Sequence, residues 1–176
     1  MKRVAVIAVF AVLLFSTGAL AETGRTISTD LYGIFQGVIN GQYEQAINES
    51  TSVVISGSTY GASYGPLRAS VFGVDSSYRW YPAGKGIFVQ AGPELGFVRI
   101  TYTGYDWYGN PVSQTASGSV FGFAGMAGYK LVVSEGITFE PAVGFYTFSG
   151  SIAGPGGSVP LSASGAMYRI GAGYSF

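Results

Sequence analysis

The chain of 176 residues has no His and no Cys, balances 9 Lys and Arg against 9 Asp and Glu, and is only 10% charged. A soluble globular domain usually carries about 25% charged residues, so an ordinary water-facing surface is not expected. The missing His and Cys exclude disulfides, thiolate or imidazole metal sites and Ser-His or Cys-His nucleophiles, and the neutral balance implies no nucleic-acid partner.

The first element is "MKRVAVIAVFAVLLFSTGALAET", with cations at Lys2 and Arg3, an uncharged apolar run from Val4 to Phe15, and small residues at Ala19 and Ala21. This is the pattern of a cleaved secretory signal. A membrane-spanning helix needs about 20 apolar residues, and this run is shorter. Residues 1–21 are therefore expected to be the signal and residues 22–176 one domain. Losing Lys2 and Arg3 from the 9-to-9 balance leaves a formal charge of about −2. Beyond the signal, Gly, Ser or a charge interrupts every apolar run, so no helical span is expected. A closed β-barrel is the other structure that can bond all its backbone groups in lipid.

Period-two segments bounded by turn residues predict eight strands. In order they are "RTISTDLYGIF", "GVINGQYEQAI", "TSVVISGSTYG", "SVFGVDSSYRWY", "GIFVQAGPELGFVRITY", "SGSVFGFAGMAGYKLVV", "GITFEPAVGFYTF" and "GAMYRIGAGYSF". Tight turns at "NES", "PAGKG" and "SEG" alternate with long connections at "ASYGPLRA", "TGYDWYGNPVSQTA" and "SGSIAGPGGSVPLSAS". Only the first connection, near Gln36 and Gly37, breaks that alternation by being short. Short turns at one end and long loops at the other is the outer-membrane barrel pattern.

One in/out assignment serves all strands. Placing Asp30, Glu44, Asp75, Arg79, Glu94, Lys130, Glu140 and Arg169 inward turns Leu31, Tyr43, Val74, Tyr78, Trp80, Leu95, Tyr129 and Phe139 outward. Many inward positions between the charges are Gly, as at Gly92, Gly96, Gly122 and Gly144, which suits a crowded interior. An eight-stranded barrel is just wide enough for side chains to fill, so a plugged lumen with paired charges is expected. Counting about Glu135 sets Lys130 opposite Glu140. Counting about Gly84 and Lys85 sets Asp75 opposite Glu94, a like-charge pair that needs a cation such as Arg79 or Arg169.

The terminal "MYRIGAGYSF" places Tyr168, Ile170, Tyr174 and Phe176 on one face. A terminal Phe preceded by alternating aromatic and apolar residues resembles the assembly signal of bacterial outer-membrane proteins. With the leader and the strand pattern, the chain is similar to the small eight-stranded barrels of the OmpA-domain, OmpX and opacity-protein kind. The resemblance implies an outer-membrane location, lipid and lipopolysaccharide as surroundings, and the assembly machinery as the reader of the last strand.

Three function classes follow: a structural or surface-interaction protein without a catalytic site or cofactor, a narrow conduit for small or apolar solutes, and a lipid-modifying enzyme. The third is disfavoured because the barrel enzymes it resembles use a His. "PAGKG" lacks the glycine spacing and the Ser or Thr of a phosphate loop. Candidate surface contacts are Arg68, Arg99, Tyr105, Asp106, Trp107 and Tyr108, and a monomer is expected.

Overall fold

The computed structural model describes residues 24–83, 86–105, 107–133 and 136–176. The expected signal, Asp106, and parts of "PAGKG" and "SEG" lie outside the described residues. The fold is all-β and antiparallel. Its strands are β1 (Arg25–Asp30), β2 (Val38–Asn48), β3 (Thr51–Tyr64), β4 (Leu67–Trp80), β5 (Ile87–Tyr105), β6 (Pro111–Tyr129), β7 (Leu131–Val132), β8 (Ile137–Gly154) and β9 (Gly157–Ser175), with one short helix, α1 (Leu31–Phe35), after β1. No helix among the described residues is long and apolar enough to cross a membrane.

Neighbours in sequence are neighbours in the sheet, in the order β6-β5-β4-β3-β2-β1-β9-β8-β7, and pairing of β6 with β8 brings the sheet round on itself. The count of nine, where eight were expected, comes from an interruption at Lys130. The register of β6 with β8 (Gly128↔Ala142) continues unshifted into β7 (Leu131↔Phe139).

Two expectations are corrected. "RTISTDLYGIF" is not one strand: β1 stops at Asp30. There the Asn40 side chain takes the place of a ladder partner, accepting from Asp30 N at 2.6 Å and donating to Asp30 O at 3.2 Å. Asp30 then caps α1, its carboxylate accepting from Tyr32 N at 3.1 Å, as short acidic side chains do at helix starts. Leu31, expected on a strand's outer face, is in that helix. The helix ends at Gly37, whose φ of 82° suits a residue without a Cβ.

The three long connections are mostly strand. "ASYGPLRA" pairs Ala62↔Ala69 through Tyr64↔Leu67, "TGYDWYGNPVSQTA" pairs Thr103↔Ser113 through Tyr105↔Pro111, and "SGSIAGPGGSVPLSAS" pairs Ser149↔Ser162 through Gly154↔Gly157. The first and third of these turns are tight, with two residues between Tyr64 and Leu67 and between Gly154 and Gly157, and the Ser, Thr and Gly content of the three hairpins reflects exposure on both faces rather than loop structure. The ring thus has a short-turn end and a long-hairpin end.

Alternation along each strand divides the residues cleanly. Outward on β5 stand Ile87, Val89, Pro93, Leu95 and Phe97, mostly exposed, before the series turns polar at Arg99 and Thr101. On β6, Phe121 and Phe123 are 63% and 52% exposed, and Ser119 and Ser117 follow toward the hairpin end. β8 changes from Phe145 to Thr147 and Ser149 in the same way. Inward glycines let strands approach: a Cβ on Gly144 would come within 2.2 Å of Gly125 O, and one on Gly92 within 2.1 Å of Ser76 O.

Candidate functional site: a charged layer inside the ring

Inward charges from five places in the chain meet near the short-turn end. β2 supplies Glu44, β4 Arg79, the β6–β7 junction Lys130, β8 Glu140 and β9 Arg169. Arg79 and Glu140 are 0% exposed. Arg79 Nη1 lies 2.8 Å from Glu44 Oε2 and 3.3 Å from Glu140 Oε2. Lys130 Nζ lies 2.7 Å from Glu44 Oε2 and 3.8 Å from Glu140 Oε1, and Arg169 Nη2 lies 3.6 Å from Glu140 Oε2. Lys130 and Glu140 are therefore opposed in register, but the nearer partner of Lys130 is Glu44, a residue from across the ring.

Neutral groups complete the layer. Ser52 Oγ and Tyr81 Oη donate to Glu44 Oε1 at 2.7 and 2.6 Å. Arg79 Nε donates to Gln90 Oε1 at 2.9 Å, and Gln90 Nε2 passes the chain on to Ser77 Oγ at 2.6 Å. The Arg79 guanidinium lies 4.1 Å from the centroid of the Phe88 ring, which meets Tyr81 edge-on at 6.1 Å. Lys130 Nζ also donates to Thr26 Oγ1 at 2.6 Å, and Arg169 holds Ser28 Oγ at 3.0 Å and Gln42 Oε1. Such buried ions are tolerable only where opposite charges and hydrogen bonds replace water. Here the same groups also tie β1, β2, β4, β8 and β9 together across the ring.

The remaining expected inward charges stand apart. Asp75 and Glu94 are direct register partners on β4 and β5, yet among the described residues neither has an ion pair. Arg79 and Arg169, expected to reach them, turn toward Glu44 and Glu140 instead. The cause is competition: those two carboxylates are the more deeply buried, and each Arg gains more by neutralising them. Asp75 Oδ2 accepts from Ser56 Oγ at 2.8 Å. Asp30 serves the backbone, accepting from Tyr32 N and, at 3.0 Å, from Ile170 N.

Asp75, Glu94, Ser56, Gln42, Met126 and Met167 line a cavity of about 180 Å³ on the hairpin side of the charged layer. Tyr168, Ile170 and Tyr174 point outward and exposed, and Phe176 stacks on Tyr174 at 6.2 Å. Arg68 and Arg99 are exposed on β4 and β5. Tyr105 closes β5, and Trp107 and Tyr108 sit in the turn after it. Among the described residues no three carboxylate, His or Cys groups converge as metal ligands.

Sequence reasoning concentrated on charges and so passed over Tyr81, Phe88 and Gln90. Parity could have found them, since Tyr81 shares the inward phase of Arg79, and Phe88 and Gln90 that of Glu94. No protein-family model matches the chain, and comparison with curated proteins and with solved structures gave no match.

Proposed function

We propose that the chain is a monomeric, eight-stranded transmembrane β-barrel of the bacterial outer membrane, with a structural or surface-interaction role and no catalytic centre. On this reading β6 and β7 form one stave interrupted at Lys130. The observation that carries it is the outer face. Apolar outward stretches such as Ile87–Phe97, Phe121–Tyr129 and Ile137–Phe145 match the about 9–11 residues that a tilted strand needs to cross hydrocarbon. Tyr43, Tyr78, Trp80, Tyr129, Phe139, Tyr174 and Phe176 supply an aromatic girdle at the short-turn side. Outward Ser and Thr beyond Phe97, Phe121 and Phe145 suit hairpins that stand in water, where Arg68 and Arg99 can meet lipid phosphates and Tyr105, Trp107 and Tyr108 another surface.

Lipid and lipopolysaccharide surround such a barrel, and the assembly machinery reads its last strand. Expression with the leader should give a protein that fractionates with outer membranes, stays folded in detergent, and changes electrophoretic mobility on heating. Recovery in the soluble periplasm without detergent would sink the membrane reading. Replacing Phe176 by Ser should lower the folded yield in the membrane far more than replacing Ser175 by Ala, and equal yields would remove the assembly role of the terminus. The conduit reading is disfavoured by the charged layer, which fills the bore with paired side chains. Single-channel steps from the purified barrel in a planar bilayer would restore it.

A further inference from the structure

The interior changes character within a few residues. Below, toward the short turns, every charge of the layer has an opposite partner; above, Asp75 and Glu94 face each other without one. As direct partners in an antiparallel pair, their Cβ atoms stand about 5 Å apart on the inward face. Both carboxylates line the cavity of about 180 Å³, which has room for a molecule of several heavy atoms, given that one water takes about 30 Å³.

A second observation concerns Gln42, which lines the same cavity and is only 6% exposed. Its Oε1 accepts from Arg169, whereas its Nε2 is buried with no hydrogen-bond partner. A buried amide N–H without an acceptor is costly. The cavity thus offers Asp75 and Glu94 for a positive charge and one amide donor for an acceptor beside them, with Met126 and Met167 as apolar wall; Arg169 and Asp30, which also line it, are engaged with Glu140, Ser28 and Gln42 and with the backbone of Tyr32 and Ile170. No convergent set of metal ligands is present among the described residues, which favours an organic cation over a metal ion.

Beside this cavity the strand ladder is incomplete, and the short helix α1 packs against both β9 and β2 there. β1 pairs with β9 only as far as Asp30↔Gly171, while β9 continues to Gly157. The Asp30 carboxylate caps the first amide past that point, Ile170 N. Beyond it the β1-side edge of β9 has no strand partner among the described residues. Pro160, in phase with Ile170, brings a nitrogen without a hydrogen to that edge, a position that edge strands tolerate. Met167 and Arg169 on β9 and Val38 and Asn40 on β2 all line the cavity, so it lies directly behind this break in the ladder, where α1 takes the place of a strand.

We propose that this cavity binds a primary ammonium with a hydrogen-bond-accepting oxygen on the neighbouring carbon framework, the chemistry of an amino alcohol, with the ammonium between Asp75 and Glu94 and the oxygen at Gln42 Nε2. The group can arrive free, through the hairpin end, or as the head of a single-chain lipid whose tail leaves beside β9, past α1.

The chain has 3 Met, and one of them is Met1 in the expected signal. The mature barrel therefore gives methyl resonances from Met126 and Met167 alone, both at the cavity. With ¹³C-methyl-methionine protein folded in a maltoside detergent, titration with ethanolamine should shift both resonances saturably. Propylamine, which lacks the oxygen, should bind about tenfold more weakly, the loss of one hydrogen bond to a buried donor. The pair Asp75→Asn with Glu94→Gln should abolish the shifts while keeping the heat-modifiable folded band. Gln42→Leu should weaken ethanolamine and leave propylamine unchanged.

Lysophosphatidylethanolamine in the micelle forms the second arm. Shifts with ethanolamine identify a free amine, and shifts with the lysolipid alone identify the headgroup entering beside β9; both support the site. No shift with either probe, or equal shifts in the folded Asp75→Asn, Glu94→Gln protein, overturns it. The ethanolamine arm does not depend on where the barrel resides, so its failure is distinct from failure of the fractionation test.

Discussion

Two interior regions a few residues apart on the same strands treat charge in opposite ways. Around Arg79, two glutamates and three cations interlock with distances as short as 2.7 Å, and Ser52, Tyr81, Gln90 and Thr26 take up further hydrogen bonds, while Arg79 Nη2 and Glu140 Oε1 stay without one. Around Asp75, β4 and β5 bring a second acidic residue into register, and among the described residues no cation forms an ion pair with either, although Arg169 lines the same cavity. The difference shows that burial, rather than charge count, assigns partners. The deepest carboxylates, Glu44 and Glu140, attract the cations of every neighbouring strand, and the shallower pair is left to hydrogen bonds and to whatever enters the cavity.

The sharpest way to break this contrast is Arg79→Met. It strips Glu44, Glu140 and Gln90 of a shared donor and should cost about 4 kcal/mol, within the range for leaving buried charge uncompensated. Urea unfolding in lipid vesicles measures it, and a loss below about 1 kcal/mol would mean that water reaches the layer. Lys130→Met should cost about 2–3 kcal/mol. Double-mutant cycles should give a larger coupling of Lys130 to Glu44, at 2.7 Å, than to Glu140, at 3.8 Å. The reverse order would assign Lys130 to its hairpin partner instead.

In the other region the sign should invert. Glu94→Gln removes a like charge opposite Asp75 and is expected to be neutral or to stabilise by up to about 1 kcal/mol. A clear destabilisation in the absence of added amines would reveal a cation already bound between the two carboxylates. The smallest effect belongs to the hairpin tips. Trp107 is 96% exposed, and Trp107→Ser should change unfolding free energy by no more than about 0.5 kcal/mol, so any phenotype of that variant would report on surface contact rather than on stability.

Much of this arrangement was legible in order along the chain. The two-residue period alone separates Arg79, Glu94 and Glu140 from Tyr78, Leu95 and Phe139, because successive strand residues point to opposite faces. The centre of each tight turn sets the register of its hairpin, so Asp75↔Glu94 and the opposition of Lys130 to Glu140 follow from counting. The long hairpins were harder to see, since their Ser, Thr and Gly residues are largely exposed on both faces and so carry no apolar phase. Pattern also could not show that β1 stops at Asp30, because "DLYGIF" carries apolar residues on both phases and so marks no end, while the Asn40 side chain, ten residues away, takes over the ladder. Only closure of the ring decided which ions meet. Glu44 and Lys130 are 86 positions apart, no local rule relates them, and they pair because the curvature of the sheet carries β2 across to the end of β6 at a depth where neither charge can keep its water.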